Sequence, residues 1–190
     1  MLILSSCDFR NDHARRVILD HLPMPIDACR VLFIPNEKAT SDNIKSKKYN
    51  RRLCEFGFSP ENIHVFDHSV PNASRNLDID AIYVSGGNSF EMLRRIRQSG
   101  FDQDIIQYVK TGVIYIGGSA GAHLASPDIS HIQAFDPVYP GMTDFRGLGL
   151  WNGLLICHYS PERASICEKL QRTSPYPLHL LTDDDAIVIP

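Results

Sequence analysis

The segment that most restricts the fold of this chain is Gly117-Gly118-Ser119-Ala120-Gly121, which joins the apolar run Val113–Ile116 to a helix that can begin at Ala122. A buried strand that ends in Gly-x-Ser-x-Gly before a helix is typical of a nucleophile elbow, a tight turn that exposes the serine hydroxyl above a sheet. The flanking glycines let the strand and the helix pass close together. The alternative is an ordinary glycine-rich turn with a capping serine, and these five residues alone do not separate the two.

Short apolar segments alternate with segments of helical periodicity along the chain. The predicted strands are Leu2–Leu4, Arg30–Ile34, Ile63–Phe66, Ala81–Val84, Val113–Ile116, Leu154–Cys157, Leu178–Leu181 and Ala186–Ile189, the last two forming a pair around the acidic turn Asp183–Asp185. The predicted helices are His13–His21, Ser41–Phe56 with Ser41 as its cap, Phe90–Ile96, Asp102–Lys110 and Glu162–Arg172. This alternation predicts an α/β three-layer sandwich, in which a mostly parallel sheet lies between two layers of helices.

The length of 190 residues and the hydrophobic content of 43% predict one domain, residues 1–190, with a substantial core. The apolar end of the sequence, Ile187–Pro190, is consistent with a short C-terminal strand missing beyond it. A net charge of −3 gives no electrostatic reason to expect a nucleic acid or an anionic membrane as partner.

The N-terminal segment is too short and turns polar too soon for a signal peptide, and no apolar run approaches the roughly 20 residues of a membrane-spanning helix. Five scattered cysteines without a C-x-x-C pair predict reduced thiols in a cytoplasmic protein, with neither a disulfide framework nor a zinc site. They are Cys7, Cys29, Cys54, Cys157 and Cys167.

Three groups of chemically useful residues follow predicted strands directly. They are Gly86-Gly87-Asn88, Ser119 and His158. Parallel strands bring their carboxyl ends to one edge of a sheet, so we expect these groups to lie together. Serine is a weak nucleophile without a base, and histidine is the usual base. The alternative for His158 is a strand-end histidine bonded to a loop carbonyl.

An oxyanion hole needs backbone N–H donors from two segments, and we expect them from Ala120 and Gly87. Asn88 or Ser89 can also cap the following helix, and the two roles are compatible. His123 lies one helical turn after Ser119, so we expect it to line the pocket without acting as the base.

The acid that orients the base is not fixed by spacing. Between Ser119 and His158 the candidates are Asp128, Asp136 and Asp144. The run Asp183–Asp185 is a further possibility, although acidic runs in turns are usually only solvated.

The residues Ser85–Phe90, Gly117–Ala122 and Cys157-His158-Tyr159 resemble the peptidase E family of α-aspartyl dipeptidases. The resemblance covers nearly the whole chain, with the motifs in the right order. It implies a flavodoxin-like fold, also described as class I glutamine amidotransferase-like. It further implies a serine peptidase that cleaves dipeptides with an N-terminal aspartate. We expect that this mechanism needs no metal or organic cofactor, that the partner is a small peptide substrate, and that the protein is a monomer or a homodimer.

By this resemblance Ser119 is the nucleophile, His158 is the base, and Arg163 holds the substrate's aspartate side chain, with Asn88 also in the substrate site. A guanidinium can bind a carboxylate with two parallel hydrogen bonds, which suits this role. The segment after the elbow is shorter than in peptidase E, and we choose Asp136 as the acid. Two alternatives stay open: a cyanophycinase-like peptidase of β-aspartyl peptides, and a catalytically silent domain that binds a small acidic ligand or a partner.

Overall fold

The structure is a computed structural model that describes residues 1–70 and 76–190. Its strands are β1 (Leu2–Ser5), β2 (Val31–Ile34), β3 (Ile63–Val65), β4 (Ala81–Val84), β5 (Ile114–Gly118), β6 (Leu154–Ile156), β7 (Leu178–Leu180) and β8 (Ala186–Ile189). Its α-helices are α1 (Asp12–His21), α2 (Ser41–Lys45), α3 (Lys48–Phe56), α4 (Ser89–Gln98), α5 (Phe101–Lys110), α6 (Ala120–Leu124) and α7 (Ala164–Thr173). Short 3-10 helices span Asp8–Arg10, Pro60–Asn62, Ser130–Ala134 and Pro161–Arg163.

Six strands form the main sheet in the order β3-β2-β4-β5-β1-β8. The first five in this order run parallel, and β8 joins antiparallel to β1 at the edge. Helices cover both faces, so the predicted α/β sandwich with a mostly parallel sheet is confirmed. The sheet delivers the carboxyl ends of β1, β2, β4 and β5 to one edge, which is where sheets of this kind place their functional sites.

Both faces of the sheet are apolar, because strands covered on two sides need no polar face. In β2, Leu32 and Ile34 belong to one buried cluster, and Val31 and Phe33 belong to the other. The first cluster includes buried side chains of α4, α5 and α6, and the second includes those of α1 and α3. The two clusters therefore place the helices on opposite faces of the sheet.

The segment predicted as a single helix from Ser41 to Phe56 forms two helices, α2 and α3. The helical conformation is interrupted at Lys47, whose φ of 57° lies in the left-handed region. Thr40 caps α2, since its hydroxyl accepts a hydrogen bond from Asn43 N at 3.2 Å, and Ser41 is already helical. The prediction of one helix capped by Ser41 is therefore wrong. The left-handed conformation that separates α2 from α3 occurs at a lysine, a residue type that rarely adopts it, so the sequence does not indicate the break.

Strands β6, β7 and β8 depart from the expected arrangement. β6 pairs in parallel with β7 in a separate two-stranded sheet, while β8 pairs with β1. The strand before His158 is therefore not part of the main sheet, and β7 and β8 do not pair with each other. The turn between them carries the chain from one sheet to the other, which places its acidic residues between the two.

Candidate active site

Ser119 lies in a strained turn between β5 and α6. Its φ of 50° and ψ of −110° are unusual for a residue with a side chain, and such strain is typical of a nucleophile elbow. Ser119 N donates to Ser5 O at 2.8 Å, which ties the turn to β1. A Cβ at Gly117 would lie 2.7 Å from Gly121 O, and a Cβ at Gly121 would collide with the backbone of Val84. The glycines are thus required by close backbone contacts on both sides of the serine.

His158 lies directly beside the serine. Its Nε2 is 2.8 Å from Ser119 Oγ, a hydrogen-bond distance. The residue follows β6 with a φ of 56°, and its backbone N–H donates to the buried Ser6 Oγ at 3.1 Å. The end of β1 therefore orients His158, even though β6 belongs to another sheet.

Asp183 is the carboxylate beside this histidine. Its Oδ1 lies 2.5 Å from His158 Nδ1, on the ring edge that faces away from Ser119. The hydrogen bond to His158 is the main influence that lowers the pKa of Asp183. The pair is partly open to solvent, with side-chain exposures of 38% for His158 and 65% for Asp183. Ser119, His158 and Asp183 form a continuous hydrogen-bonded chain of the kind found in Ser-His-acid sites.

The expectation that Asp136 is the acid is corrected by this geometry. Asp136 Oδ2 accepts a hydrogen bond from Ser89 N at 2.9 Å, so its carboxylate lies at the N-terminal end of α4, where negative charge is favourable. The other two candidates are also engaged locally: Asp128 accepts from Ser130 N, and Asp144 forms an ion pair with Arg146.

Asn88 is the N-cap of α4 rather than a side chain directed at Ser119. Its Oδ1 accepts from Glu91 N at 2.9 Å, and its Nδ2 donates to Pro137 O at 2.9 Å. Both ends of the amide are thus used within the protein. These contacts agree with the alternative prediction that Asn88 caps the helix that follows it.

A cavity of about 300 Å³ opens in front of Ser119, at the carboxyl ends of β1, β2, β4 and β5. Ser119 and His158 form part of its wall together with the Gly86-Gly87 loop. Its lining also includes the acidic residue Asp8 and the basic residues Arg10 and Arg52. These three residues were not predicted from the sequence. Asp8 follows β1 at the carboxyl edge of the sheet, and Gly87 was predicted for the site because it follows a strand in the same way, so the same argument could have identified Asp8.

The Gly86-Gly87 loop packs closely against Ser119. A Cβ at Gly86 would lie 3.2 Å from Ser119 Cβ, and one at Gly87 would collide with the Glu37 carboxylate. Ala120, the first residue of α6, follows the serine directly. The two segments expected to supply oxyanion donors therefore flank Ser119.

Arg163 does not line this cavity. Its Nη1 donates to Cys157 O at 2.9 Å, and its guanidinium lies 4.8 Å from the centre of the Phe135 ring. The backbone bond to Cys157 supports the residue that precedes His158. The observed contacts of Arg163 thus stabilise the loop that carries His158.

His123 is buried behind the elbow and has a structural environment. Cys157 N donates to its Nε2 at 3.2 Å, so the other nitrogen, Nδ1, carries the proton and donates to Ser89 Oγ at 3.0 Å. Burial lowers the pKa of His123 to about 3, and the ring is neutral at physiological pH. It connects α4, α6 and the residue before His158 without contacting Ser119 Oγ.

One group of three potential metal ligands occurs among the residues described. The ligand atoms of Cys7, His158 and Asp183 lie within 4.8 Å of one another. Burial, and then the charge of Asp183, raise the pKa of the Cys7 thiol to about 11, which keeps it protonated. Because His158 and Asp183 already bond to each other, the residues fit a Ser-His-acid chain without a metal.

The fold and the site together define an α/β protein with a serine on a nucleophile elbow and a histidine–carboxylate pair beside it. The sequence model of peptidase family S51 matches residues 1–190, and the chain belongs to this family. The resemblance to peptidase E is thereby confirmed. Across the described residues, no helix has the length and apolar character that crossing a bilayer requires.

Several named relatives support the assignment. The chain is 32% identical over 129 residues to the uncharacterised peptidase Lin0382 of Listeria innocua, covering 65% of this chain and 60% of that protein. It is 28% identical over 148 residues to peptidase E of Streptomyces coelicolor, covering 78% of this chain and 57% of that protein. The chain thus spans less than two thirds of the length of these relatives.

Solved structures show the same fold. A candidate peptidase E from Listeria monocytogenes EGD-e superposes with a TM-score of 0.76 at 24% identity, covering 99% of this chain and 93% of that one. A peptidase from an acI-B1 actinobacterium superposes with a TM-score of 0.64 at 17% identity, covering 97% of this chain and 81% of that one. At these identities the likeness concerns the fold alone.

Proposed function

We propose that this protein is a serine peptidase that hydrolyses peptides with an N-terminal aspartate. The observation that carries the proposal is the chain of contacts from Ser119 Oγ to His158 Nε2 at 2.8 Å and from His158 Nδ1 to Asp183 Oδ1 at 2.5 Å. Membership of family S51 and the similarity to proteins named peptidase E support the reaction type and the substrate.

In the proposed reaction, Ser119 Oγ attacks the scissile carbonyl carbon while His158 Nε2 takes the hydroxyl proton. His158 then gives this proton to the leaving amine. Asp183 holds the ring with Nδ1 protonated and stabilises the imidazolium that forms in the transition state. Water repeats the sequence on the acyl-enzyme and releases the N-terminal residue.

The oxyanion of the tetrahedral intermediate is proposed to accept hydrogen bonds from the N–H groups of Gly87 and Ala120. The close packing of the Gly86-Gly87 loop against Ser119 supports this assignment, because a side chain at either glycine would meet Ser119 or Glu37. Removing one such donor in an acyl-transfer enzyme costs about 10²–10³ in kcat, which shows how much the hole contributes.

The aspartate side chain of the substrate needs a cation. The lining of the cavity favours Arg52 and Arg10 for this role, whereas Arg163 is bonded to Cys157 O outside the lining. We therefore propose that the cavity arginines bind the substrate carboxylate and that Arg163 positions the His158 loop. The alternative of a catalytically silent binding domain was motivated by the lack of a certain acid partner for His158. The contact of Asp183 with His158 provides such a partner, so this motive no longer applies.

The test is hydrolysis of aspartic acid α-p-nitroanilide and of the dipeptide Asp-Leu by the purified protein. We expect Ser119→Ala to lower kcat by at least ~10³-fold, because the nucleophile is lost. Ser99→Ala is the matched control, since Ser99 caps the far end of α4 and should leave activity unchanged. Arg52→Met should raise KM for aspartyl substrates, whereas Arg163→Met should mainly lower kcat. Equal turnover by wild type and Ser119→Ala would refute the mechanism.

A further inference from the structure

A buried carboxylate lies in the wall of the catalytic cavity and takes no part in the Ser119–His158–Asp183 chain. Asp8 follows β1 and is only 1% exposed, yet it lines the cavity together with Ser119 and His158. Its φ of 50° is unusual for a residue with a side chain. A buried acid in a strained backbone conformation at a site edge indicates that its position is held by the surrounding fold.

The hydrogen bonding of this carboxylate is incomplete. Oδ1 accepts from Arg10 Nε at 3.2 Å, while Oδ2 is buried and has no hydrogen-bond partner among the residues that the structure describes. The Tyr83 hydroxyl lies beside the same carboxylate. Burial, then the charge of Asp8 and a side-chain hydrogen bond with Asp8, raise the pKa of Tyr83 well above its usual value. An ionised carboxylate offers about four acceptor sites, so Asp8 retains capacity for another donor.

The free oxygen lies next to the nucleophile. A Cβ at Gly118 would collide with Asp8 Oδ2 and lie 2.8 Å from Asp8 Cβ. Gly118 directly precedes Ser119, so Oδ2 packs against the residue that leads into the elbow. A donor that binds Oδ2 would therefore lie beside the residue that directly precedes Ser119.

We propose that Asp8 binds the α-ammonium group of the substrate's N-terminal residue. This inference rests on the proposed peptidase function. In an N-terminal residue the α-nitrogen is separated from the scissile carbonyl carbon by a single carbon atom, which matches the adjacency of Asp8 and Ser119. An ammonium group has three N–H donors and a positive charge. It can therefore donate to the free acceptor sites of a buried carboxylate and balance its negative charge.

The assignment explains how the site selects a free N-terminus. Asp8 supplies the negative charge of the cavity, and Arg10 and Arg52 supply positive charge on the same wall. An N-terminal aspartate carries an ammonium nitrogen and a side-chain carboxyl carbon three bonds apart, and so matches both signs. An internal aspartate in a longer chain has no ammonium and would leave Asp8 Oδ2 buried without a partner, which is unfavourable.

Two substrates that differ only in the ammonium group test this role. They are aspartic acid α-p-nitroanilide and succinyl-p-nitroanilide, in which hydrogen replaces the amino group. We expect the wild-type protein to favour the aspartyl substrate by about 10²-fold in kcat/KM, the scale of losing one partner of a buried charge pair. Asp8→Asn should reduce this preference to within a few fold by losing activity on the aspartyl substrate alone.

Arg10→Gln is the matched control for a merely structural role of Asp8. It removes the ion pair with Asp8 but keeps the carboxylate, so it should lower the activity on both substrates alike and keep their ratio. If Asp8→Asn does not fold, Asp8→Glu takes its place in the test. Asp8→Glu retains the charge and should therefore keep part of the preference for the aspartyl substrate. Asp8→Asn with an unchanged ratio, or wild type with a ratio near one, overturns the role of Asp8 alone. A wild-type protein that hydrolyses neither substrate overturns the peptidase proposal and this inference with it.

Discussion

Replacing Asp183 by asparagine tests whether this residue is the acid partner of His158. The change removes the negative charge beside His158 Nδ1 while keeping the size of the side chain. Two unit charges about 4 Å apart attract each other by ~1 kcal/mol in water and by ~4 kcal/mol at the effective dielectric of a protein surface. Since each 1.36 kcal/mol is a factor of ten in rate, the loss lies between about 5-fold and about 10³-fold.

The exposure of the pair favours the lower part of this range. Asp183 is 65% exposed and His158 is 38% exposed, so water screens the attraction between them. An exposed asparagine can also rotate to present its oxygen to Nδ1, which preserves the productive tautomer. We therefore expect Asp183→Asn to lower kcat/KM by about 10- to 10²-fold, less than the ~10⁴ seen where a buried triad acid is replaced.

The measurement is kcat/KM for aspartic acid α-p-nitroanilide, with thermal unfolding as a check of folding. Asp136→Asn is the matched control, because Asp136 contacts Ser89 N and not His158. This variant should stay within about twofold of wild type, since an asparagine oxygen can still accept that bond. An Asp183→Asn protein with wild-type activity, or an Asp136→Asn protein that loses as much activity, would refute the assignment.

Two further predictions concern stability. Gly121→Ala should destabilise the fold by about 1–3 kcal/mol or more in chemical denaturation, because the new Cβ collides with the Val84 backbone; an unchanged denaturation midpoint would contradict the packing of the elbow. The pKa of His123 is lowered to about 3 from 6.5 by burial, so between these values the unfolded chain binds a proton that the folded chain does not. Stability should therefore fall as the pH drops below 6.5, with this histidine contributing ~1.4 kcal/mol per pH unit. His123→Gln should flatten the pH dependence of the unfolding free energy by that amount, and an unchanged slope would show that folding does not lower the pKa of His123.

The main sheet could be predicted because its strands are local, continuous apolar runs. β2 and β4 are buried on both faces, and such runs are recognisable without knowledge of their neighbours. The elbow could be predicted for the same reason, since five adjacent residues carry the backbone constraint. Ser119 and His158, the proposed nucleophile and base, lie together as expected, although β6 lies outside the main sheet.

The contact of Asp183, the proposed acid, with His158 could not be predicted from the sequence, because the position of Asp183 depends on which sheets β7 and β8 join. Asp183 reaches His158 since the chain leaves the small sheet after β7 and enters the main sheet as β8. The choice between Asp136 and Asp183 is thus a matter of tertiary pairing that no local pattern encodes. The break at Lys47 was equally invisible, because the left-handed conformation of a lysine is imposed by packing.

The segment that follows β1 explains how residues from two sheets form one site. Ser5 O accepts a hydrogen bond from Ser119 N, and Ser6 Oγ accepts one from His158 N while donating to Leu181 O. The next two residues reach the other components: the Cys7 thiol lies beside the Asp183 carboxylate, and Asp8 lines the cavity.

Ser5 and Ser6 contact the site through a backbone oxygen and a hydroxyl group. The side chains of Cys7 and Asp8 lie at the site but take no part in the proposed proton transfer. For this reason the segment carries no catalytic motif, and a search for nucleophile, base and acid passes over it. β1 lies between β5 and β8, so its end is the one place in the sheet that adjoins both the elbow and the strand that follows the acidic turn. A change that displaces this end should therefore disturb the proposed nucleophile, base, acid and substrate site together, whereas a substitution of the side chain of Ser119, His158 or Asp183 should remove only one of these groups.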